Sequence, residues 1–214
     1  PVRQIAEFER MQSVLVRYPF GIPLDLIAEI SEDCRVTTIV INQSQENQVL
    51  STYSSNGVNT ANCEFIHAPS DSYWTRDYGP WFIIDGQGEF GIVNFPYNRP
   101  RPNDDDIPIE VADYLGLNLF GMPVSHTGGN YMTDGWGISS STTLVYDENS
   151  ISPDSIDVLV DQYLGIDEYH CLPDPLGDYI EHIDCWGKFL DVDKVLIGKV
   201  PESDPRYSDF EYVA

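Results

Sequence analysis

The chain has 214 residues, 42% of them hydrophobic and 12% aromatic, enough to close a core as one domain. Its 35 acidic residues against 11 Lys and Arg leave a formal net charge of −24, which argues against a nucleic-acid partner. The same field suits a cationic small molecule or peptide, or serves solubility alone, and no apolar run is long enough to predict a membrane span.

The predicted elements alternate. SVLVRYPF (13–20) reads as a strand, and PLDLIAEISEDC spaces Leu24, Leu26, Ile27 and Ile30 at helical intervals behind Pro23. RVTTIVIN (35–42) is the β-branched run of a buried strand. A polar helix ending at Asn56-Gly57 follows, then a short strand at 64–69. WFIID, GQG and EFGIVNF make a hairpin. NDDDIPIEVADYLG reads as a helix capped by Asn or Asp and stopped by Gly116. A second hairpin turns about Asp134-Gly135. SPDSIDVLVDQYLG then repeats the helix formula, with Ser152 as cap, Pro153 in the first turn and Gly165 as stop. HIDCWGKFLDVDKVLIGKV predicts two strands joined near Asp191–Asp193. The fold class is α/β with repeated ββαβ-like units and no linker.

Chemistry concentrates in three places. In DYIEHIDCWGKF, strand alternation points His182 and Asp184 one way and Ile183 and Cys185 the other. Cys185 is therefore expected to be a small buried hydrophobe and not a nucleophile. Histidine and a carboxylate on one side suit proton transfer and cation binding. In DSYWTRDYGPWF, Asp77 can accept the fork of a guanidinium and Trp74 can cover its flat face. The alternative pairs Arg76 and Asp77 with structural partners and buries Trp74 in the core. In FPYNRPRPND, Arg99 and Arg101 can clamp a carboxylate, or else pair with the run Asp104–Asp106. Cys34, Cys63, Cys171 and Cys185 show neither CxxC nor metal-type spacing with the four histidines, and are too few for a disulfide framework.

WTRDYGPW, HTGGNYMTDG and HIDCWGKFL, in this order, resemble the bacterial peptidylarginine deiminases over roughly residues 13–200. That family sits with the agmatine deiminases in the guanidino-group-modifying superfamily of five-bladed α/β propellers. The resemblance implies that Asp77 and Asp184 bind guanidinium nitrogens and that His182 shuttles protons. It places Trp74 in the pocket lining, Tyr179 at its border, and Arg99 and Arg101 on the carboxylate of a C-terminal arginine. The implied reaction is hydrolytic deimination of peptidyl arginine, giving citrulline and ammonia through a cysteine-linked intermediate. Alternatives on the same scaffold are an agmatine or free-arginine deiminase, or a non-catalytic arginine-peptide-binding homologue.

None of the four cysteines stands in the family's late cysteine segment, and Ala214 comes 30 residues after Asp184. Residues 1–214 are thus expected to form a partial catalytic domain of three to four blades. A C-terminal segment or second chain would complete it and carry the nucleophilic cysteine, and the Pro1 start reads as a processed or trimmed form. The resemblance implies arginine-containing peptides or proteins as partners, a secreted or cell-surface location, and no required metal or organic cofactor. Asp104–Asp106 and Asp191–Asp193 are candidate loops for a structural Ca²⁺ or Na⁺.

Overall fold

The computed structural model describes residues 2–214, so Pro1 lies outside the described residues. Four small sheets alternate with helices along the chain. The first sheet is all parallel: β2 (Ser13–Arg17), β3 (Arg35–Val40) and β4 (Cys63–His67), linked by helices α1 (Leu24–Asp33) and α2 (Gln43–Ser55). Parallel neighbours need such crossovers. The side chain of Asn42 caps α2 by accepting from the Gln45 N–H, and α1 starts directly after Pro23.

The second and third sheets share one plan. In the second, β5 (Trp81–Ile84) and β6 (Phe90–Asn94) form the expected hairpin. The chain then crosses through α4 (Pro102–Asp105) and α5 (Ile107–Leu115) to β7 (Asn118–Gly121), parallel to β6. The short strand β1 (Arg3–Gln4) adds to the free side of β5. In the third, β8 (Met132–Thr133) pairs antiparallel with β9 (Ile138–Thr142). The chain crosses through α6 (Leu144–Asp147) and α7 (Pro153–Leu164) to β10 (Glu168–Leu172), parallel to β9. The Ser152 cap and the left-handed Gly165 stop of α7 stand where the sequence puts them. The fourth sheet is the hairpin β11 (Gly187–Asp191) and β12 (Lys194–Ile197), followed by α8 (Tyr207–Val213).

The cores lie between the layers. In β3, Val36 and Val40 face α1 and α2 alongside Ile27, Val49 and Tyr53, while Ile39 on the opposite face packs with Ile107, Val111 and Ala112 of α5. Both faces being covered explains the run of five buried residues in this strand. The β5–β6 hairpin does the same, with Ile92 toward α5 and Trp81, Ile83 and Val93 toward Ile156, Val160 and Leu164 of α7. Phe210 of α8 joins Met132, Trp186 and Phe189 in the last core. Each such fully buried aliphatic or aromatic side chain contributes about 1.5–3 kcal/mol.

Three expectations need correction. The helix read at NDDDIPIEVADYLG breaks at Asp106 into α4 and α5, and neither start uses a side-chain cap, because Asp104 and Asp105 turn back toward upstream backbone. HIDC is not a strand: Ile183–Cys185 form a 3₁₀ turn led by His182. Cys185 is consequently exposed, not a buried hydrophobe. The strands β1, β7 and β10 and helix α8 have no counterpart in the sequence reading, being two to seven residues long.

Candidate active site

Three short turns from distant parts of the chain meet at one end of the sheets. Each stands immediately before the first strand of a unit. Helix α3 (Thr75–Tyr78) leads into β5, the 3₁₀ turn Gly128–Asn130 into β8, and the 3₁₀ turn Ile183–Cys185 into β11. The repeated ββαβ plan therefore brings equivalent positions of successive units together.

The first turn is held from behind. Asp104 is fully buried and accepts from Asp71 N (2.7 Å), Ser72 N (3.0 Å) and Ser72 Oγ (2.6 Å). Arg17 donates to Ser70 Oγ and O at 2.7 and 2.8 Å, and the buried Tyr78 donates its hydroxyl to Ser72 O at 3.1 Å. With loop and helix tied, Asp77 points at the second turn, with its Oδ1 close against Gly129.

Thr142 of β9 fastens the other two turns. Its N–H donates to Asn130 Oδ1 at 2.8 Å and its hydroxyl to Glu181 O at 2.7 Å. His126 braces the second turn. Its Nδ1 lies 2.8 Å from Thr127 N and 3.1 Å from Thr127 O, and its Nε2 lies 3.3 Å from Tyr169 Oη. Burial pushes this histidine down to about 4, so it is neutral at ordinary pH. His126 stands first in the quoted HTGGN motif, yet no chemical pattern marked it as a support.

Asp77, His182 and Asp184 come together. His182 Nδ1 lies 3.7 Å from Asp77 Oδ1, and His182 is 7% exposed with Nε2 unpartnered. Asp77 titrates above the ordinary carboxylate range, chiefly through burial, opposed by His182, Arg76 and Arg99. Asp184 is raised too, by burial first, with Arg76 and His182 opposing and Asp77 adding to it. Arg76, for which the sequence reading offered structural partners as the alternative, faces Asp184 Oδ2 through Nε at 3.6 Å and donates from Nη2 to Tyr131 O at 2.9 Å. Its Nη1 is paired with Glu7, whose other oxygen takes Lys188.

The remaining candidates sit at the periphery. Trp74 is 46% exposed and leans on Tyr73 with ring centroids 4.8 Å apart, while Tyr179 is 90% exposed and not packed against the cluster. Arg99 meets Glu148 at 3.6 Å. Arg101 donates to Tyr97 Oη at 3.2 Å and Ser72 Oγ at 3.4 Å, so neither arginine pairs with Asp104–Asp106. Burial, Asp184 and Asp178 push the Cys185 thiol up to about 11, leaving it a poor nucleophile at neutral pH. Among the described residues no three His, Cys, Asp or Glu side chains gather as a metal site. Asp104 and Asp105 spend oxygens on N–H and O–H donors, and Asp191 spends its own on Val192 N and Lys194 Nζ. A cavity of about 380 Å³ lined by Arg10, Cys34 and Arg35 lies on other elements and includes none of these groups.

A Yersinia pestis protein carrying the provisional name agmatine deiminase is 27% identical over 171 residues, covering 69% of this chain and 45% of that protein. The agmatine deiminase of Ectopseudomonas mendocina is 26% identical over 166 residues, covering 68% and 45%. The chain thus matches less than half the length of these curated relatives. In structure, it superposes on the agmatine deiminase of C. jejuni with a TM-score of 0.81 at 18% identity, covering 99% of this chain and 68% of the other, which shows a shared α/β fold. The family model for the Porphyromonas-type peptidyl-arginine deiminases matches residues 4–213, and the chain belongs to that family.

Proposed function

We propose that this chain supplies the guanidinium-holding and proton-transferring part of a deiminase. Asp77 and Asp184 hold the guanidinium nitrogens, and a cysteine thiolate from outside these 214 residues attacks the guanidinium carbon. His182 gives a proton to the departing ammonia and then takes one from the water that resolves the thioether-linked intermediate. In balance, a guanidinium and water become a ureido group and ammonium. The five-bladed ring implied by the resemblance belongs to the same reading, with the four sheets described above as part of it.

The observation that carries this is the meeting of Asp77 from one turn with His182 and Asp184 from another. Charge supports it. Two cations, Arg76 and Lys188, face three carboxylates, Glu7, Asp77 and Asp184, so these five side chains together leave one negative charge beside His182. A single guanidinium cation balances that charge, and a buried unpaired charge is costly without one.

For the substrate, the relatives' names support agmatine better than a peptide ending in arginine. The arginine pair favours the second reading. Arg99 is neutralised by Glu148, but Arg101 has only hydroxyl partners among the described residues, so it is available to a substrate carboxylate.

The test uses the complete protein with its cysteine-bearing segment. Ammonia release is measured from agmatine, free arginine, and peptides with C-terminal or internal arginine. Fastest turnover of agmatine is expected. Fastest turnover of C-terminal arginine installs the second reading, and binding without ammonia from any of the four defeats the deiminase.

A further inference from the structure

Arg76 is a guanidinium that the chain itself places beside the acids read as a guanidinium site. Only its Nε faces Asp184, at 3.6 Å, which is outside hydrogen-bond reach. A fork-on-carboxylate pairing would bring two nitrogens to about 2.7–2.9 Å. Its other nitrogens are directed elsewhere, Nη2 to Tyr131 O and Nη1 to Glu7. Glu7 is itself anchored by Lys188 of β11 and stands on a fixed segment. There Glu9 takes Arg3 at 2.7 and 3.0 Å and the Ala6 N–H at 2.9 Å.

An arginine left free at this position would compete with any guanidinium ligand for Asp184, at an effective concentration no dissolved ligand matches. We propose that Glu7 is a positioning residue that holds the Arg76 guanidinium off Asp184 and so keeps that carboxylate open to a guanidinium ligand. This rests on the reading of Asp184 as a ligand-binding acid. The charged groups facing Arg76 are Glu7, Asp77 and Asp184, and Lys188 reaches it only through Glu7.

The experiment is Glu7→Gln in the complete protein, read in two ways. A crystal structure of the variant is expected to show Arg76 closed onto Asp184 within hydrogen-bond distance. Calorimetric titration with agmatine as probe is expected to show binding about tenfold weaker, the effect of one charge-assisted contact. The double variant Glu7→Gln, Arg76→Gln is expected to bind agmatine as Arg76→Gln alone does. Should Glu7→Gln not fold, Glu7→Asp keeps the charge on a shorter arm and shows the same change in smaller measure. Arg76 staying at its present distance in a folded variant, or unchanged agmatine affinity, overturns the proposal. Arg76 closing on Asp184 while the wild-type protein binds no agmatine leaves the positioning role standing and removes the ligand reading of Asp184.

Discussion

Substituting Gly129 by alanine tests the site where His182 and Asp77 meet the second turn. A Cβ there would lie 2.3 Å from His182 Nδ1, 2.7 Å from Asp77 Oδ1 and 2.8 Å from His182 Cε1. Carbon contacts settle at about 3.5 Å, so the imidazole must retreat by roughly 1 Å. The ring is 7% exposed and lies directly over the Gly128–Asn130 turn. Overpacking of this kind costs about 1–3 kcal/mol, or about 2–4 °C of melting temperature per kcal/mol in a chain this size. The functional cost is larger, because misplacing a reacting group by about 1 Å costs on the order of 100-fold in rate. The assay is kcat/KM for the best guanidino substrate of the complete enzyme, alongside thermal melts. Gly86→Ala serves as control, since nothing lies within 4 Å of its Cβ position and its stability should stay within about 0.5 kcal/mol of the parent. A Gly129→Ala protein with the parent's kcat/KM and melting temperature would refute the placement of His182 against Asp77.

Four further outcomes are expected. Asp104→Asn replaces a buried acceptor of three hydrogen bonds and should cost about 1.5–3 kcal/mol in denaturant unfolding, with faster amide exchange at Asp71 and Ser72. His126 stays neutral in the fold down to about pH 4, whereas the unfolded chain takes up its proton near pH 6.5, so acid favours unfolding. Stability should fall by about 3 kcal/mol as pH drops from 6.5 to 4, and a flat profile in that window contradicts the buried network. The opposite sign holds for Asp77, whose raised pKa makes its charge a burden on the fold at neutral pH. Asp77→Asn should therefore melt higher than the parent at pH 7 while losing activity, with the gain vanishing below the ordinary carboxylate range of about 4. Cys185 should alkylate slowly at pH 7.5 and faster as pH rises toward 11, and Cys185→Ser should leave turnover intact. Loss of turnover in that variant would make Cys185 the nucleophile after all.

Local rules made much of this protein legible before any fold was seen. Side-chain period, the Ser152 cap, the Gly116 and Gly165 stops and the hairpin glycines are decided by residues within a few positions of one another. The ββαβ plan was readable on those terms, whereas the grouping of Asp77, His182 and Asp184 came from the family resemblance. Where a local rule was applied to HIDC it failed, because Thr142 takes the Glu181 carbonyl and the chain enters a 3₁₀ turn instead of a strand. The partners of the charged groups were likewise out of reach. Asp104 looked like a surface acid until its oxygens were found under the Asp71–Ser72 backbone, and Arg76 looked secondary until Glu7, Tyr131 and Asp184 gathered around it. The sequence by itself determined the longer helices, the β-branched strands and the hairpin turns, since their backbone conformation answers to near neighbours. Only the tertiary structure decided which charges face one another, because ion pairs and burial are set by contacts between residues far apart in the chain.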